Sequence, residues 1–246
     1  MPIPLTDTTL DPGDNHLLHV LPAPDRARLL PRLEPVWFGL KDMVYEADAA
    51  IDAVYFPTSA VLSEVVVIDS GAAVEVNTIG WEGMAGLPAF LGSRTHTNQM
   101  FCQVPGAAHR LSAAGLARHL ADDGAALHDA LHRYTRATMV QLSHNVACNR
   151  LHPVEERTAR WLLITHDRVR GDTFPLTQEF LAAMLGVRRG TVSLNAGLLQ
   201  KAGLIRYTRG QITVVDRPGL ETASCQCYAI TRAAFDQLPD DAPSRA

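Results

Sequence analysis

The chain has 246 residues, of which 47% are hydrophobic and 20% charged, a composition typical of one large or two ordinary globular domains. Its overall net charge of −4 disfavours a nucleic-acid binder. No stretch is long and apolar enough for a membrane helix, the N-terminus lacks a secretory signal, and four scattered cysteines exclude a disulfide framework, so we expect a cytoplasmic protein.

The first half of the chain is predicted to form mainly β-strands. Residues 1–16 are expected to be a loose tail, and residues 16–33 carry apolar residues at helical spacing broken by prolines, which predicts short helices. Short segments rich in Val, Ile and Phe follow, and they cover residues 36–40, 54–56, 61–68, 74–79, 100–104 and 107–111. Asp69-Ser70-Gly71 is typical of a hairpin turn, and strands at this spacing indicate an antiparallel sandwich or barrel.

Helices are predicted from Ser112 onward. Ser112 is a suitable N-cap for a helix through Leu120, and Asp122-Asp123-Gly124 interrupts it. Residues 125–149 lack Pro and Gly, which allows about seven helical turns. Seven residues recur at intervals of three or four along this helix and form a narrow seam of coiled-coil type. They are Leu127, Leu131, Tyr134, Thr138, Leu142, Asn145 and Asn149. We expect the seam to bind a second copy of the chain, with an ordinary core helix as the alternative.

The segment from Arg150 to Arg217 is basic, although the whole chain is acidic. It contains eleven Lys and Arg against six Asp and Glu, a net charge of +5, so the remainder carries −9. This split is expected when only one domain meets phosphate, and chance surface variation is the alternative. The segment opens with a helix break at His152-Pro153, followed by a helix expected to end near Asp167.

A helix-turn-helix is predicted after residue 174. Thr177 is a suitable N-cap for the first helix, and Gly186 can adopt the left-handed conformation that ends it. The second helix is expected from about Arg188 to Lys201. Its apolar residues expected to pack inward are Val192, Leu198 and Leu199.

A basic β-hairpin follows these helices. Two short strands, 204–207 and 211–215, flank a tip that carries Arg209. The exposed N-terminal end of the second helix holds Arg188, Arg189, Thr191 and Ser193, and a recognition helix presents this end to the major groove. Helix, tight turn, helix and basic hairpin together indicate a winged helix-turn-helix.

These motifs resemble the Crp/Fnr superfamily of bacterial transcription regulators. The matching C-terminal residues are Leu176-Thr177, Leu181-Ala182, Leu185-Gly186-Val187, Arg189, Thr191-Val192-Ser193, Gly203-Leu204-Ile205, Arg209-Gly210-Gln211-Ile212 and Asp216-Arg217-x-Gly219-Leu220. The matching residues among the strands are Val54-Tyr55-Phe56-Pro57 and Ile79-Gly80-Trp81-Glu82-Gly83-Met84-Ala85-Gly86. The resemblance covers most of the chain and implies an effector β-roll, a long dimerisation helix and a winged helix, in the order already predicted.

The resemblance also implies which residues contact bases. The family commonly uses an Arg-Glu pair and a second Arg, and here Arg189 keeps the first position, whereas Gly190 and Leu194 replace the other two. Arg189 is expected to bind guanine O6 and N7, and Leu194 a thymine methyl group, with Arg188 and Ser193 beside them. The usual half-site of the family is therefore not expected.

Phosphate contacts are expected at three further positions. Thr177 and Thr191 match phosphate-binding positions of the family, and Arg209 lies at the hairpin tip. Such contacts set the register of the protein on DNA rather than the sequence that it prefers.

The effector domain departs from the family's cyclic-nucleotide signature. Members that bind cyclic nucleotide use a Gly-Glu pair and a downstream Arg-Ser or Arg-Ala, but Gly83 is followed by Met84 here. Arg94-Thr95 lies close to the family's phosphate position, so Gly83, Arg94 and Thr95 are the candidate anion site, with an ordinary surface arginine as the alternative. An unidentified small-molecule effector is expected, and cyclic nucleotide is the alternative.

The cysteines do not predict a metal or a cofactor. Cys225-x-Cys227 forms one close pair and Cys148 with His152 another, but neither reaches the four ligands of a zinc site. Buried, inert thiols are therefore expected, and a role of Cys225 and Cys227 in redox or metal sensing stays open.

Two functions of other classes compete with DNA binding. A cupin-type β-barrel enzyme would need more metal ligands than His96 and His109 supply, and no catalytic motif is visible. A ligand-binding module without a DNA role conflicts with the basic hairpin tip and with Arg188-Arg189.

We therefore predict an α+β fold with an N-terminal antiparallel, cyclic-nucleotide-binding-like β-roll, a long dimerisation helix and a C-terminal winged helix-turn-helix. The predicted limits are 1–120 for the roll, 121–150 for the helix, 151–235 for the DNA-binding domain and 236–246 for a tail. The expected partners are double-stranded DNA with an inverted repeat, a second copy of the chain, a small-molecule effector, and RNA polymerase if the protein is an activator. We expect neither catalysis nor membrane association.

Overall fold

The computed structural model describes residues 2–4, 11–69, 71–122 and 124–238. Antiparallel strands dominate the part before the long helix. They are β1 (Ile3–Pro4), β2 (Glu34–Phe38), β3 (Met43–Tyr45), β4 (Ala49–Ala50), β5 (Ala53–Pro57), β6 (Val61–Val67), β7 (Ala73–Ile79), β8 (Thr95–His96), β9 (Gln99–Val104) and β10 (Gly106–Ser112). The short helices among them are α1 (His16–His19), α2 (Ala23–Leu29) and α3 (Leu87–Phe90), with 3-10 turns at Pro12–Asp14 and Leu30–Arg32.

These strands form the predicted β-roll. One sheet has the order β1-β2-β10-β5 and the other β3-β9-β6-β7, while β4 pairs with β8. Side chains from both sheets, such as Phe38, Phe56, Leu62 and Met100, share one buried core. All six predicted strands are confirmed. The strands β1, β3, β4 and β8 were missed because two or three residues are too few to establish an alternating pattern.

The turn between β6 and β7 is the predicted hairpin, since these strands pair antiparallel and Gly71 has a φ of 78°. Ser70, at its centre, lies outside the described residues. The predicted cap of the next helix, α4 (Ala113–Asp122), is confirmed, because Ser112 Oγ accepts a hydrogen bond of 3.0 Å from the Gly115 N–H.

The long helix α5 (Ala125–Leu151) is two residues longer than predicted. The partner assigned to the first part of its seam was wrong, whereas Leu142 and Asn149 of the seam are exposed, so binding of a second copy there stays a prediction. Leu127, Leu131 and Tyr134 are buried in the core of the roll rather than facing solvent. Steps of three and four identify an apolar helix face, but they do not say whether a sheet of the same chain or a second helix covers it. The large apolar side chains that α5 exposes are Met139, Leu142, Val146 and Leu151, and the first three, which include Leu142 of the seam, follow one another at steps of about one turn.

The predicted winged helix-turn-helix follows α5. Its elements are α6 (Val154–His166), β11 (Thr173–Pro175), α7 (Gln178–Leu185), α8 (Arg189–Lys201), β12 (Ile205–Thr208), β13 (Gln211–Val214) and α9 (Arg217–Ala223). Pro153 breaks the chain between α5 and α6 as expected, although it takes the N-cap position rather than the first helical one.

The last helix, α10 (Cys227–Asp236), returns to the long helix. The ring of Phe235 lies 6.2 Å from the ring of Tyr134 on α5, and Ala234 and Leu238 belong to the core of the roll. The winged helix-turn-helix is thus followed by an element that packs on the β-roll. The predicted domain limits at residues 120, 150 and 235 stay predictions.

Candidate nucleic-acid interface

The helix-turn-helix is held by local features that its sequence specifies. Thr177 Oγ1 accepts a hydrogen bond of 3.1 Å from the Phe180 N–H, which caps α7. Gly186 has a φ of 64° and ends this helix, since a side chain would strain that conformation. Val192 and Leu199 of α8 are buried as predicted, but Leu198 is 48% exposed, which corrects the expectation that it packs inward.

The residues predicted to contact bases are all accessible. Arg188, Arg189 and Ser193 are exposed, and Leu194 is 63% exposed. Arg189 is the first residue of α8 and Arg188 is its N-cap, so both arginines lie at the helix end that points outward. A surface with two guanidinium groups, a hydroxyl and an apolar side chain offers donors for base edges and a contact for a methyl group.

The wing is a three-stranded sheet with the order β11-β13-β12. Arg209 and Gly210 form its tip, with φ values of 50° and 78°. Two successive residues with positive φ define a type I′ turn, which normally selects Asn-Gly. An arginine in the left-handed region is disfavoured on its own, so the conformation of this turn does not account for an arginine at the exposed tip. Sequence analysis missed β11 because it has three residues.

The wing tip lies against the start of α7. The Leu176 N–H donates to the Gly210 carbonyl (2.8 Å), and the Tyr207 hydroxyl donates to the Leu176 carbonyl (3.0 Å). Thr177 and Arg209 are therefore neighbouring, exposed side chains, whereas Thr191 is half-buried. The cap bond uses Thr177 as an acceptor, which leaves its hydroxyl hydrogen free for an external phosphate oxygen.

Tyr207 joins the wing to the recognition helix and was not predicted as a site residue. Its backbone N–H donates to Gln200 Oε1 of α8 at 2.8 Å. Partial burial raises the pKa of Tyr207. The hydrogen bond to Gln200 therefore connects the wing to the outer part of α8.

The structure does not bring the candidate anion site together. Gly83 is buried, and a Cβ at this position would overlap the ring of Tyr134, so this glycine is needed for close packing of α5. Arg94 and Thr95 are exposed. A cavity of about 150 Å³ inside the roll, lined by Met84, Tyr134 and other residues, includes none of these three and no Lys or Arg. The anion role of Arg94 and Thr95 stays a prediction.

The turn after β7 makes a contact that the sequence did not reveal. Trp81 Nε1 donates to the Asp167 carbonyl at 2.9 Å, and Glu82 Oε1 lies 2.8 Å from Arg168 Nε. Both partners of this ion pair are less than 10% exposed. Arg168 also donates to Gln141 Oε1 of α5 at 3.3 Å. The contact therefore connects the roll, the long helix and the DNA-binding domain.

A cavity of about 330 Å³ lies beside this contact. Its lining includes Glu82 and Arg168 together with side chains of α10. Three buried polar atoms of the lining have no hydrogen-bond partner within the described residues: His16 Nε2, Glu82 Oε2 and Thr231 Oγ1. Groups of this kind can bind a polar ligand or water.

Within the described residues, one group of side chains is arranged so that it could bind a metal ion. Cys148, His152, Cys225 and Cys227, which the sequence presents as two separate pairs, place their ligand atoms within 4.8 Å of one another. His96 stands apart, stacked on a tyrosine ring. His109 is buried and lies on a different sheet, so these two histidines do not form a cupin-type centre.

Comparisons with known proteins agree with this geometry. Residues 156–223 match the family model of the Crp-like helix-turn-helix domain. FixK2 from Bradyrhizobium japonicum has the same fold, with a TM-score of 0.67 and 15% identity over 78% of this chain and 98% of that chain. The c-di-GMP responsive global regulator CLP from Xanthomonas campestris gives a TM-score of 0.61 and 15% identity over 78% of this chain and 99% of that chain.

A CRP-family transcriptional regulator from Thermus thermophilus gives a TM-score of 0.60 and 17% identity over 76% of this chain and 95% of that chain. No curated protein sequence matches the chain. None of the helices within the described residues combines the length and apolar character needed to cross a lipid bilayer.

Proposed function

We propose that this chain, a DNA-binding transcription regulator of the Crp/Fnr superfamily, binds an inverted DNA repeat as a cytoplasmic homodimer, responds to a small-molecule effector and has no catalytic role. The observation that carries the proposal is the exposed N-terminal end of α8, where Arg188, Arg189, Ser193 and Leu194 share the solvent-facing surface. An end of this kind fits the major groove.

The base contacts are assigned by chemistry. A guanidinium group can donate two parallel hydrogen bonds to guanine O6 and N7, so Arg189 discriminates by about 1–3 kcal/mol per half-site. Leu194 supplies the contact for a thymine methyl group. Thr177, Thr191 and Arg209 bind phosphates and fix the register, because their hydroxyl and guanidinium donors are not specific for a base.

The exposed stripe on α5 supports the homodimer. Met139 and Val146 are 63% and 73% exposed, and Leu142 lies between them. Unpaired apolar side chains at steps of three and four fit a parallel partner helix. Two recognition helices held about 34 Å apart would contact half-sites separated by one turn of DNA. RNA polymerase is a further partner if the protein activates transcription.

The interdomain cavity is the better candidate for the effector site. The cavity inside the roll, at about 150 Å³, is smaller than most ligand sites and lacks a cation for a phosphate, which disfavours cyclic nucleotide. The interdomain cavity of about 330 Å³ falls in the usual range and is lined by both domains and α10. A ligand there would alter the position of the DNA-binding domain, provided that it prefers one arrangement over the other.

Selection of bound duplexes from a random library tests the proposal directly. We expect an inverted repeat with a guanine in each half-site. Arg189→Ala should lose the preference for that guanine, whereas Arg209→Ala should weaken specific and scrambled duplexes equally. Lys201→Ala is the matched control, since it removes the same charge from the opposite end of α8. An unchanged preference in Arg189→Ala would show that the assignment is wrong.

A further inference from the structure

Four side chains from two distant segments converge between the long helix and the last helix. Cys148 lies in the last turn of α5 and His152 caps that helix, whereas Cys225 precedes α10 and Cys227 is its first residue. The three thiols are buried and the imidazole is half-buried. Segments 77 residues apart along the chain thus contribute ligand atoms to a single small volume.

The separations between these atoms fit a mononuclear tetrahedral site. Cys148 Sγ lies 3.4 Å from Cys225 Sγ, and Cys227 Sγ lies 3.7 Å from His152 Nδ1. Bond lengths of about 2.3 Å for Zn–S and about 2.0–2.1 Å for Zn–N place the ligand atoms of a tetrahedron about 3.6–3.8 Å apart. The two separations are close to these values, and the other four are no longer than 4.8 Å, so a small movement of the side chains would be enough to bind one zinc ion.

Other chemistry accounts for fewer of these contacts. A disulfide needs a separation of about 2.05 Å between sulfur atoms and would use only two of the thiols, leaving the other thiol and the imidazole unexplained. A cluster of several irons surrounds a larger inorganic core, so its ligands must stand farther apart than those of a single ion.

The charges around the group favour thiolates. Arg157 and Arg160 are only 9% and 7% exposed. Within the described residues their guanidinium groups donate only to neutral oxygens, those of Asn149 and the Leu185 carbonyl for Arg157 and that of Asn145 for Arg160. A buried charge without a counter-charge is costly.

Both arginines lie beside the end of α5 that carries Cys148 and His152. Arg157 donates to Asn149, which follows Cys148, and Arg160 donates to Asn145, about one turn before it. One Zn²⁺ with three thiolates and a neutral imidazole carries a net charge of −1. This anionic centre would supply the counter-charge that the two arginines otherwise lack.

We propose that Cys148, His152, Cys225 and Cys227 bind one Zn²⁺ ion tetrahedrally and that this ion fixes the start of α10 to the end of α5. The thiols lose their protons on binding, so each ligand contributes a lone pair to the metal and the released protons go to solvent. The two helices joined in this way are those that precede and follow the DNA-binding domain.

Metal analysis of the untagged full-length chain, purified from zinc-containing medium without chelators, tests the proposal. We expect one zinc per chain. The Co²⁺-substituted protein should show intense tetrahedral d–d bands and a sulfur-to-cobalt charge-transfer band. Cys225→Ser and Cys227→Ser should lose the ion, whereas Cys102→Ser, which changes a buried thiol in the core of the roll, should retain it.

The variant His152→Cys keeps the proposal testable if the serine variants do not fold. It retains four ligands, so it should hold one ion and shift the cobalt spectrum towards that of a four-sulfur site. The proposal is overturned by wild-type zinc no higher than in Cys225→Ser, by iron in place of zinc, or by a Cys148–Cys225 disulfide in peptide maps of the metal-free protein. None of these readouts depends on DNA binding, so they leave the proposed function separately testable.

Discussion

Trp161 in α6 donates a hydrogen bond of 2.8 Å from its indole Nε1 to Oε1 of Glu75 on β7. This bond crosses from the DNA-binding domain to the β-roll. The Glu75 carboxyl group also lies 2.6 Å from Ser63 Oγ and 2.9 Å from Thr78 Oγ1. A half-buried acidic side chain thus lies at the boundary between the two domains, and its protonation state affects their contact.

Three donors surround the carboxyl group of Glu75. Ser63 Oγ donates to Glu75 Oε2 and also lies 2.5 Å from Gln103 Oε1. Thr78 Oγ1 and Trp161 Nε1 both donate to Glu75 Oε1. Burial raises the pKa of Glu75, whereas the three donated hydrogen bonds lower it. We assign Glu75 a raised pKa, because the effect of burial is the larger of the two.

Stability should therefore depend on pH through Glu75. Because its pKa is raised in the folded state, its contribution is fully present below the unfolded pKa of about 4.3 and is lost as pH rises through the folded pKa. Glu75→Gln should flatten the fall in the free energy of unfolding between mildly acidic and neutral pH, measured by urea denaturation. The exposed Glu46→Gln is the control, and equal slopes in wild type and Glu75→Gln would contradict the assignment.

Arg168 should be among the most sensitive positions of the domain boundary. Arg168→Met removes one partner of the buried pair with Glu82 and leaves that carboxylate uncompensated, so we expect a loss of about 3–5 kcal/mol in thermal or urea unfolding. Combining it with Glu82→Gln should restore part of this loss. A double variant whose loss equals the sum of the two single losses would show that the pair is not coupled.

Arg209 should lower the stability of the fold and raise its affinity for DNA. Asn is better suited than Arg to the left-handed first position of a type I′ turn, so Arg209→Asn should stabilise the fold by up to about 1 kcal/mol. DNA affinity should fall, and its salt dependence should become shallower by about 1 for each phosphate that the variant no longer neutralises. Arg209→Ala should show the same fall in affinity without the gain in melting temperature. Full affinity in Arg209→Asn would rule out a phosphate contact at the tip.

The stripe on α5 should determine the oligomeric state. Val146→Glu places a charge in an apolar helix interface and should shift the dimer to the monomer in analytical ultracentrifugation, with a parallel loss of binding to the inverted repeat. Ile68→Glu is the matched control, since Ile68 is also exposed, at 59%, but lies at the β6–β7 hairpin. A monomeric wild type would contradict the proposed dimer.

Local patterns in the sequence predicted the elements, but not what packs against them. The caps at Ser112 and Thr177 and the turn at Gly186 depend on residues a few positions apart, and the structure confirms them. The prediction that the seam of α5 binds a second copy was wrong for its first part, because an apolar helix face fits either a sheet of the same chain or a second helix. Leu127 and Leu131 pack on the roll, an outcome that depends on strands far away along the chain.

The sequence likewise predicted one part of the candidate site and missed another. The accessibility of Arg188 and Arg189 followed from their position at the outward-facing end of the second helix, and the family resemblance indicated Leu194. The convergence of Cys148 with Cys225 did not, because it requires α10 to return to α5 after the whole winged helix. The sequence spacing therefore indicated two separate pairs of metal ligands, each too few for a zinc site, whereas the fold brings the four side chains together.

The return of α10 restricts how the DNA-binding domain moves. The chain enters the domain at Pro153, directly after α5, and leaves it through α10, which lies on α5 again. If the contacts of Trp161 and Arg168 with the roll are broken, a domain whose backbone is held at two points keeps one soft rotation, about the line through both points, while other displacements strain one connection or the other. In a dimer, each recognition helix would thus rotate along one fixed path. A signal would then need only to change the angle of this rotation, and would not need to order a domain that moves freely.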